Sequence, residues 1–173
     1  MRRHIVLVGF MASGKSTVGR LLAAEFGLPF VDTDALIVER HGTIAAIFAR
    51  GGEPAFRAYE LAAVETALAG EPAVVALGGG AISYGPTRAL VAQRALRIYL
   101  DVPAPTLLRR LRRAVEPRPL MGRAPDLASV QSLLTAREPL YREAEITARG
   151  GRGSPARFAR EVAGLVRAWE AAQ

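Results

Sequence analysis

One segment near the start of the chain, IVLVGFMASGKSTVGRLLAAEFG at residues 5–27, constrains the fold more than any other feature. A run of β-forming residues stops at Gly9, and an amphipathic helical pattern runs from Lys15 to Phe26. Between them the sequence matches the pattern G-x-x-x-x-G-K-[ST]. A strand, a glycine loop and a helix in this order predict an α/β fold with a phosphate-binding loop.

The loop residues suit the phosphate chain of a nucleotide. Glycine permits backbone angles that turn amide groups inward, and the helix N-terminus adds partial positive charge. We expect Lys15 to act as a catalytic residue that reaches the β- and γ-phosphates, and the Ser16 hydroxyl to bind magnesium. The predicted nucleotide-binding residues of the loop are Gly9, Ala12, Ser13, Gly14, Lys15, Ser16 and Thr17.

Composition narrows the class of nucleotide-binding protein. The length of 173 residues fits one domain, predicted over residues 1–173, and is short for a motor ATPase. Lys15 is the single lysine among 23 basic residues, so none remains for the guanine-recognition element N/T-K-x-D of a GTPase. The lack of cysteine and the presence of two histidines argue against thiolate or histidine-rich metal sites. A small-molecule kinase fits these limits.

Charge and hydropathy bear on partners and location. The net charge of +7 suggests an anionic partner, either nucleic acid or a phosphate-bearing small molecule. Aromatic residues make up only 6% and do not interleave with the arginines, so we expect no nucleic-acid partner. No apolar stretch approaches the roughly 20 residues that span a membrane, so we expect a cytoplasmic protein with no membrane partner.

Short apolar runs alternate with helical patterns along the chain, which predicts a parallel β-sheet covered by helices. Thr43 is expected to cap one helix, Pro54 to open another that ends near Gly70, and Ser154 to cap a C-terminal helix. The long segment after the second strand predicts a substrate-side subdomain at about residues 32–60. The predicted strands are residues 4–8, 28–31, 73–77, 96–100 and 145–148.

Two aspartates follow the second predicted strand, in VDTDALI at residues 31–37. Asp32 and Asp34 are two residues apart and would point the same way in an extended backbone. One carboxylate could then join a magnesium shell while the other accepts a hydroxyl proton. The alternative is that Asp32 or Thr33 only caps the next helix.

Arg57 and Glu60 lie three residues apart in PAFRAYE, on one face of a predicted helix. By itself this spacing is more typical of an exposed ion pair. The functional interpretation is that Glu60 orients Arg57 towards a substrate carboxylate.

The run VVALGGGAI carries an apolar strand directly into Gly78, Gly79 and Gly80. Three glycines let a ligand lie against the backbone at the carboxyl end of a strand, where α/β sheets bind ligands. A flexible turn is the alternative.

The segment RRLRRAVEPRPLMGRAPDL, residues 109–127, begins as a helical pattern and is then broken by prolines and a glycine while arginines persist. An arginine-rich, proline-broken segment between helices predicts a lid or a binding loop. We place this lid at about residues 112–125.

In combination, these motifs resemble those of the shikimate kinase family, in the nucleoside-monophosphate-kinase branch of P-loop proteins. The phosphate loop, DTD, FR..E, LGGG, RPL and R.PLY occur in family order from Gly9 to Tyr141. RGSPARF, at residues 152–158, resembles the family's adenine-side loop. The resemblance implies a three-layer α/β/α fold of the P-loop NTPase type, with a five-stranded parallel sheet, a helical substrate-binding insertion and a lid.

The resemblance also implies roles on the substrate side. Asp34 would bind the substrate hydroxyls and take a proton from the reacting one. Arg57 and Arg137 would hold the substrate carboxylate, and Arg118, in RPL, would be the catalytic lid arginine that reaches the transferred phosphoryl group. The backbone of Gly79 and Gly80 is implied to lie against the substrate ring, and Gly78 is expected to belong to the same substrate-binding segment.

On the nucleotide side, the resemblance implies that Ser16 binds magnesium and that Asp32 helps through water. Pro155 matches the proline of the family's adenine pocket. An arginine from the helix before the lid belongs beside it, and we favour Arg110. The count along that helix also leaves open Arg109, Arg112 and Arg113.

The implied reaction is transfer of phosphate from ATP, with Mg²⁺, to the 3-hydroxyl of shikimate, a step towards chorismate and aromatic amino acids. A related kinase for another polyol acid, such as gluconate, is the nearest alternative. A nucleic-acid-binding or nucleotide-sensing module is a more distant one. The family resemblance also implies a monomer.

Overall fold

The computed structural model describes residues 3–113, 125–151 and 153–173. Strands from these residues form one parallel sheet with the spatial order second, third, first, fourth, fifth. This arrangement confirms the predicted five-stranded parallel sheet. The strands are β1 (His4–Val8), β2 (Phe30–Asp32), β3 (Val74–Ala76), β4 (Ala95–Asp101) and β5 (Ile146–Arg149).

Helices cover both faces of the sheet, and a short 3₁₀ helix, Ala81–Ser83, follows β3. The first helix has the predicted bounds, and the Ser154 hydroxyl caps the last one by accepting a bond from the Arg157 amide over 3.3 Å. The helices are α1 (Lys15–Phe26), α2 (Thr33–His41), α3 (Ile44–Ala67), α4 (Gly85–Arg94), α5 (Ala104–Arg113), α6 (Leu127–Tyr141) and α7 (Pro155–Ala171).

The central strand β1 shows how the three layers are held together. Its side chains alternate between the faces, and all are buried. Ile5 and Leu7 pack with residues of α1 and α7, whereas Val6 and Val8 pack with residues of α3, α4, α5 and α6. A strand that is apolar on both faces therefore defines an α/β/α sandwich, as predicted.

The strand β2 begins two residues later than the sequence pattern predicts. Gly27 ends α1 in the left-handed region, with φ of 64°, and the Leu28 amide still donates to the Ala23 carbonyl over 2.9 Å. Pro29 has no amide hydrogen to donate to a neighbouring strand. Leu28 therefore completes the end of α1, and pairing starts at Phe30.

Two helical segments make up α3, as Thr43 and Pro54 predict. The Thr43 hydroxyl accepts a bond from the Ala46 amide over 3.3 Å, and Gly52 breaks the helix with φ of 65° and ψ of −167°. The second segment ends at Ala67, three residues before the predicted end at Gly70.

Within the predicted substrate-side subdomain, α2 and α3 form an apolar cluster of their own around Ile37, Ile47 and Phe56. The division of the chain into a core and this subdomain stays a prediction. Of the predicted lid, residues 114–124 lie outside the described part of the chain. In the described ranges, every helix is too short or too polar to cross a bilayer.

Candidate active site

The phosphate loop connects β1 to α1 at the carboxyl edge of the sheet. Gly9 and Gly14 have φ angles of 141° and 101°, which residues with side chains rarely adopt. A Cβ on Gly9 would also lie 3.0 Å from the carbonyl oxygen of Leu100 in β4. The backbone therefore requires glycine at both positions that the motif specifies.

Ala12 lies in the same loop with φ of 62°, a conformation that is uncommon for a residue with a Cβ. Such backbone strain costs about 1 kcal/mol or more and tends to occur at functional sites. The motif accepts any residue at this position, so the sequence carries no signal for the strained angle.

Lys15 is buried inside the loop, with 8% of its surface exposed. Its ammonium donates to the carbonyl oxygens of Gly9 and Phe10 over 2.8 and 2.9 Å. A compact ammonium fits this cradle, whereas a planar guanidinium would crowd it. The loop thus places a positive charge beside the amides that can face a phosphate chain.

Ser16 and Asp32 meet at the start of α1. The Ser16 hydroxyl donates to Oδ2 of Asp32 over 2.6 Å. The other carboxylate oxygen, Oδ1, accepts bonds from the amides of Asp34 and Ala35 over 3.1 and 3.3 Å and so caps α2. Asp32 therefore caps α2 with one oxygen and bonds to Ser16 of the phosphate loop with the other, and its part in a magnesium shell stays a prediction.

The Ser16–Asp32 pair fits magnesium. Mg²⁺ prefers oxygen ligands and is commonly bound by one or two protein groups together with substrate phosphates and water. The described residues contain no cluster of three or more acidic, histidine or cysteine side chains that could hold a metal ion. The oxygens of Ser16 and Asp32 therefore suit an ion that arrives with the nucleotide.

Asp34 and Glu60 converge on the first glycine of the triple-glycine segment. A Cβ on Gly78 would lie 2.7 Å from Oδ1 of Asp34 and 2.7 Å from Oε1 of Glu60. Any larger residue here would displace the two carboxyl groups, which occupy the space of a side chain. The arrangement places two carboxyl groups, one from α2 and one from α3, at the carboxyl end of β3.

Thr33, between the two aspartates, holds this corner together. Its hydroxyl donates to the Ala76 carbonyl over 3.2 Å and accepts from the Gly78 amide over 3.3 Å. The residue is fully buried. It thus ties the start of α2 to the end of β3, a role that the sequence analysis did not identify because a threonine beside a helix start suggests only a cap.

Arg57 is buried rather than part of an exposed ion pair, which its spacing with Glu60 alone would favour. It is 7% exposed, and Glu60 is 0% exposed. One amine, Nη1, donates to Glu60 Oε2 over 2.6 Å, and the other, Nη2, donates to Glu53 Oε1 over 2.8 Å. Two carboxylates therefore fix the plane of the guanidinium, and the sequence analysis missed the second of them, Glu53.

Glu60 is an unusual carboxyl group. Burial raises its pKa to about 7, Arg57 opposes that rise, and the nearby Asp34 adds to it. Its Oε1 atom has no hydrogen-bond partner in the described part of the chain. A buried carboxyl oxygen of this kind can hold a polar ligand group or water.

Arg137, from α6, reaches the same segment from the other side. Its Nη1 donates to the Gly79 carbonyl over 3.3 Å. A Cβ on Gly80 would lie 2.7 Å from Nη2 of Arg57 and 3.3 Å from Nη2 of Arg137. Two guanidinium groups from different helices therefore meet at Gly80, which is a suitable site for a carboxylate.

Two cavities lie on either side of the phosphate loop. The first has a volume of about 220 Å³ and is lined by Lys15, Asp34, Arg57 and the triple glycine, among others. The second has a volume of about 320 Å³ and is lined by Arg110, Pro155 and neighbouring residues. The loop residues that line both cavities are Ala12, Gly14 and Thr17.

Arg110 is the arginine of α5 that the fold brings to the second cavity. Its Nη1 donates to the carbonyl oxygens of Ala12 and Ser13, both over 3.0 Å. Burial lowers its pKa, with a smaller contribution from Arg109. The three other candidates on this helix, Arg109, Arg112 and Arg113, are exposed. Arg118, the predicted catalytic arginine of the lid, lies outside the described residues.

A buried lysine in a phosphate loop, next to a cavity lined by carboxyl groups and Arg57, defines the class: this is a P-loop kinase for a small acceptor. A family model described as shikimate kinase matches residues 11–166. The chain belongs to the shikimate kinase family.

Curated relatives and solved structures agree with this assignment. A shikimate kinase of Moorella thermoacetica is 41% identical over 171 residues, which cover 98% of this chain and 97% of the relative. One of Nitrobacter winogradskyi is 45% identical over 146 residues, which cover 84% of this chain and 68% of the relative.

Among solved structures, the shikimate kinase from Acinetobacter baumannii in complex with shikimate has a TM-score of 0.91 at 36% identity, covering 96% of this chain and 93% of that one. A gluconokinase from Sinorhizobium meliloti has a TM-score of 0.63 at 21% identity, covering 98% of this chain and 94% of that one. The second likeness shows the fold alone.

Proposed function

We propose that this chain transfers the γ-phosphoryl group of ATP to the 3-hydroxyl of shikimate, a step towards chorismate and aromatic amino acids. The observation that carries the proposal is the meeting of Arg57 and Arg137 at Gly80, a glycine that lines the cavity beside the phosphate loop. Shikimate is a compact ring with one carboxylate and three hydroxyl groups. Two buried guanidinium groups suit the carboxylate, and the carboxyl groups opposite suit the hydroxyls.

The acceptor side follows from the geometry of the first cavity. With its carboxylate between Arg57 and Arg137, the ring would lie along Gly79 and Gly80, and a hydroxyl would face Asp34. Asp34 would hold this hydroxyl and accept its proton during transfer. The orphan oxygen of Glu60 is a further acceptor in the same corner.

The donor side follows from the loop and the second cavity. The adenine would lie between Arg110 and Pro155, and the phosphates would lie along residues 9–17 with Lys15 at the β- and γ-phosphates. Ser16 directly, and Asp32 through water, would hold Mg²⁺, which would supply charge neutralisation at the phosphate oxygens. Arg118 would supply a further positive charge to the transferred group, and its loss should lower kcat by about 10³.

The experiment is a coupled assay of ADP formation with ATP and Mg²⁺, run with shikimate, with gluconate and with no acceptor. We expect acceptor-dependent turnover with shikimate alone, and phosphorus NMR of the product should place the phosphate on the 3-hydroxyl. Turnover with gluconate in place of shikimate would overturn the proposal. Light scattering during size-exclusion chromatography tests the monomer that we also propose.

Binding to nucleic acid is the alternative that the basic charge of the chain suggests, and an electrophoretic mobility shift tests it. We expect no shift of duplex or single-stranded nucleic acid at moderate salt. A shift that weakens steeply as salt rises would support that alternative instead.

A further inference from the structure

Tyr141, the last residue of α6, reaches the backbone beside the acceptor cavity. Its side chain is 1% exposed, and its hydroxyl donates to the Gly79 carbonyl. Its ring stacks on that of Tyr99 in β4, with centroids 5.2 Å apart. Packing and a hydrogen bond therefore fix the hydroxyl in one position at the centre of the triple-glycine segment.

The Tyr141 hydroxyl is a hydrogen-bond donor throughout the neutral pH range. Burial raises its pKa to about 12, and Arg137 opposes that rise. A protonated tyrosine can donate a hydrogen bond to a carbonyl oxygen, which can only accept one. The hydroxyl therefore stays protonated, and able to donate to Gly79, at the pH values at which a kinase is assayed.

The Gly79 carbonyl has a second donor, Arg137, one helical turn before Tyr141 in α6. The distance from Arg137 Nη1 to this oxygen is 3.3 Å, which is long for an N–H···O bond. Tyr141 supplies the other donor to this oxygen. Without it, Arg137 would be left as the donor for a buried carbonyl, and leaving such a carbonyl unsatisfied is costly.

Arg137 reaches the Gly79 carbonyl with Nη1 and the Gly80 position with Nη2, so a shift of its guanidinium changes both contacts at once. Its Nη2 lies 3.3 Å from the place that a Cβ on Gly80 would take, where it faces Arg57. A movement of Arg137 towards the Gly79 carbonyl would draw its guanidinium away from this position. The position of Arg137 therefore depends on the bond that Tyr141 makes.

We propose that Tyr141 is a substrate-positioning residue, whose hydroxyl satisfies the Gly79 carbonyl and so keeps Arg137 directed towards the acceptor carboxylate. Tyr141 acts through Gly79 and Arg137 and does not touch the acceptor. The inference rests on the proposed function, because it assumes a carboxylate between Arg57 and Arg137.

The test compares Tyr141→Phe with Tyr99→Phe, which removes a hydroxyl from the other ring of the same stack. The Tyr99 hydroxyl donates to Asp101 over 3.4 Å, away from the glycines. For Tyr141→Phe we expect the shikimate KM to rise about five- to thirtyfold, as for the loss of one buried hydrogen bond. The kcat and the KM for ATP should stay within about twofold of wild type. Tyr99→Phe should change none of the three.

A second measurement asks whether Tyr141 acts through Arg137. In an Arg137→Ala background, Tyr141→Phe should add less than about a twofold change in shikimate KM, because coupled residues are not additive. Full additivity would overturn the proposal, as would an unchanged shikimate KM in Tyr141→Phe or an equal effect of Tyr99→Phe. Loss of a cooperative thermal transition in Tyr141→Phe would also overturn it, since the residue would then be structural.

The proposed function and the positioning role of Tyr141 can be disproved separately. If the wild-type protein does not turn over shikimate, the proposed function is wrong. If the wild-type protein does so and Tyr141→Phe behaves like wild type, only the positioning role is wrong.

Discussion

Arg57 and Arg137 approach each other at Gly80, although they lie on different helices and each would repel the other without anions nearby. Glu53 and Glu60 balance the charge of Arg57 and hold its plane. A ligand carboxylate is the group that would complete this arrangement, since a planar guanidinium pairs with it through two parallel bonds.

Arg57→Ala should weaken shikimate binding by about a hundredfold, the usual effect of removing one partner of a buried charge pair. Nucleotide affinity should hardly change, because Arg57 does not line the second cavity. Isothermal titration calorimetry with shikimate and with ADP measures both. Arg142→Ala, which removes an exposed arginine paired with Glu138, is the matched control. Equal losses for both ligands would contradict the role of Arg57.

Gly78→Ala should lower kcat/KM for shikimate by about a hundredfold, which is the size of effect that a small misplacement of catalytic groups produces. The added methyl would lie 2.7 Å from oxygens of both Asp34 and Glu60, so these side chains must move. Gly85→Ala is the control, because nothing lies within 4 Å of its Cβ position. Steady-state kinetics and a thermal melt of each variant separate catalysis from folding. Normal kinetics in Gly78→Ala would mean that the two carboxyl groups need no fixed position.

Arg110→Ala should raise the KM for ATP by about tenfold, through the loss of the arginine that we propose packs on the adenine. The KM for shikimate should stay the same, because Arg110 lines the other cavity. Arg109→Ala, an exposed neighbour on the same helix, should have little effect on either constant. If Arg109→Ala raised the KM for ATP and Arg110→Ala did not, the adenine arginine would be misassigned.

Asp32→Asn should raise the Mg²⁺ concentration for half-maximal rate by about tenfold or more, as the loss of an outer-shell carboxylate commonly does. Asparagine keeps an oxygen that can cap α2, so the melting temperature should change little. Asp126→Asn provides the control, because Asp126 caps α6 in the same way but far from the loop. A Mg²⁺ titration of activity that is identical for both variants would remove Asp32 from the metal site.

Glu60 should make the protein less stable as pH rises from 4.5 to about 7. Its folded pKa is raised, so the folded state binds more protons than the unfolded state in this window and the free energy of unfolding falls with pH. Across this pH window, the free energy of unfolding of the wild type should fall by up to about 3 kcal/mol relative to that of Glu60→Gln. Urea titrations at several pH values measure this difference, with the exposed Glu65→Gln as control. A difference that is constant with pH would show that Glu60 is charged throughout.

Features formed by contiguous residues could be predicted from the sequence, and features formed by distant residues could not. The strand, loop and helix around Lys15 are contiguous, and glycine spacing and periodicity predict them nearly to the residue. The proximity of Arg57 and Arg137 depends on how α3 and α6 pack around the end of β3, which no pattern in either helix encodes. Only the family resemblance predicted that Arg57 and Arg137 act together.

Burial was the property that local patterns predicted worst. Arg57 and Glu60 have the spacing of an exposed pair, and only the kink at Gly52 and the packing of α3 place them inside. The donor that Tyr141 supplies to Gly79 was equally hidden, because a tyrosine at a helix end is ordinarily a packing residue. These positions are set by tertiary contacts rather than by propensity.

The phosphate loop also separates the two cavities. Ala12, Gly14 and Thr17 contribute to both cavities, so one short stretch of backbone lies between the proposed donor and acceptor sites. An inhibitor that joins an adenosine to a ring carboxylate would need a linker whose length matches the thickness of this loop. Substitutions in the loop that weaken such an inhibitor would also alter the binding of both natural ligands. This limits the substitutions that could confer resistance.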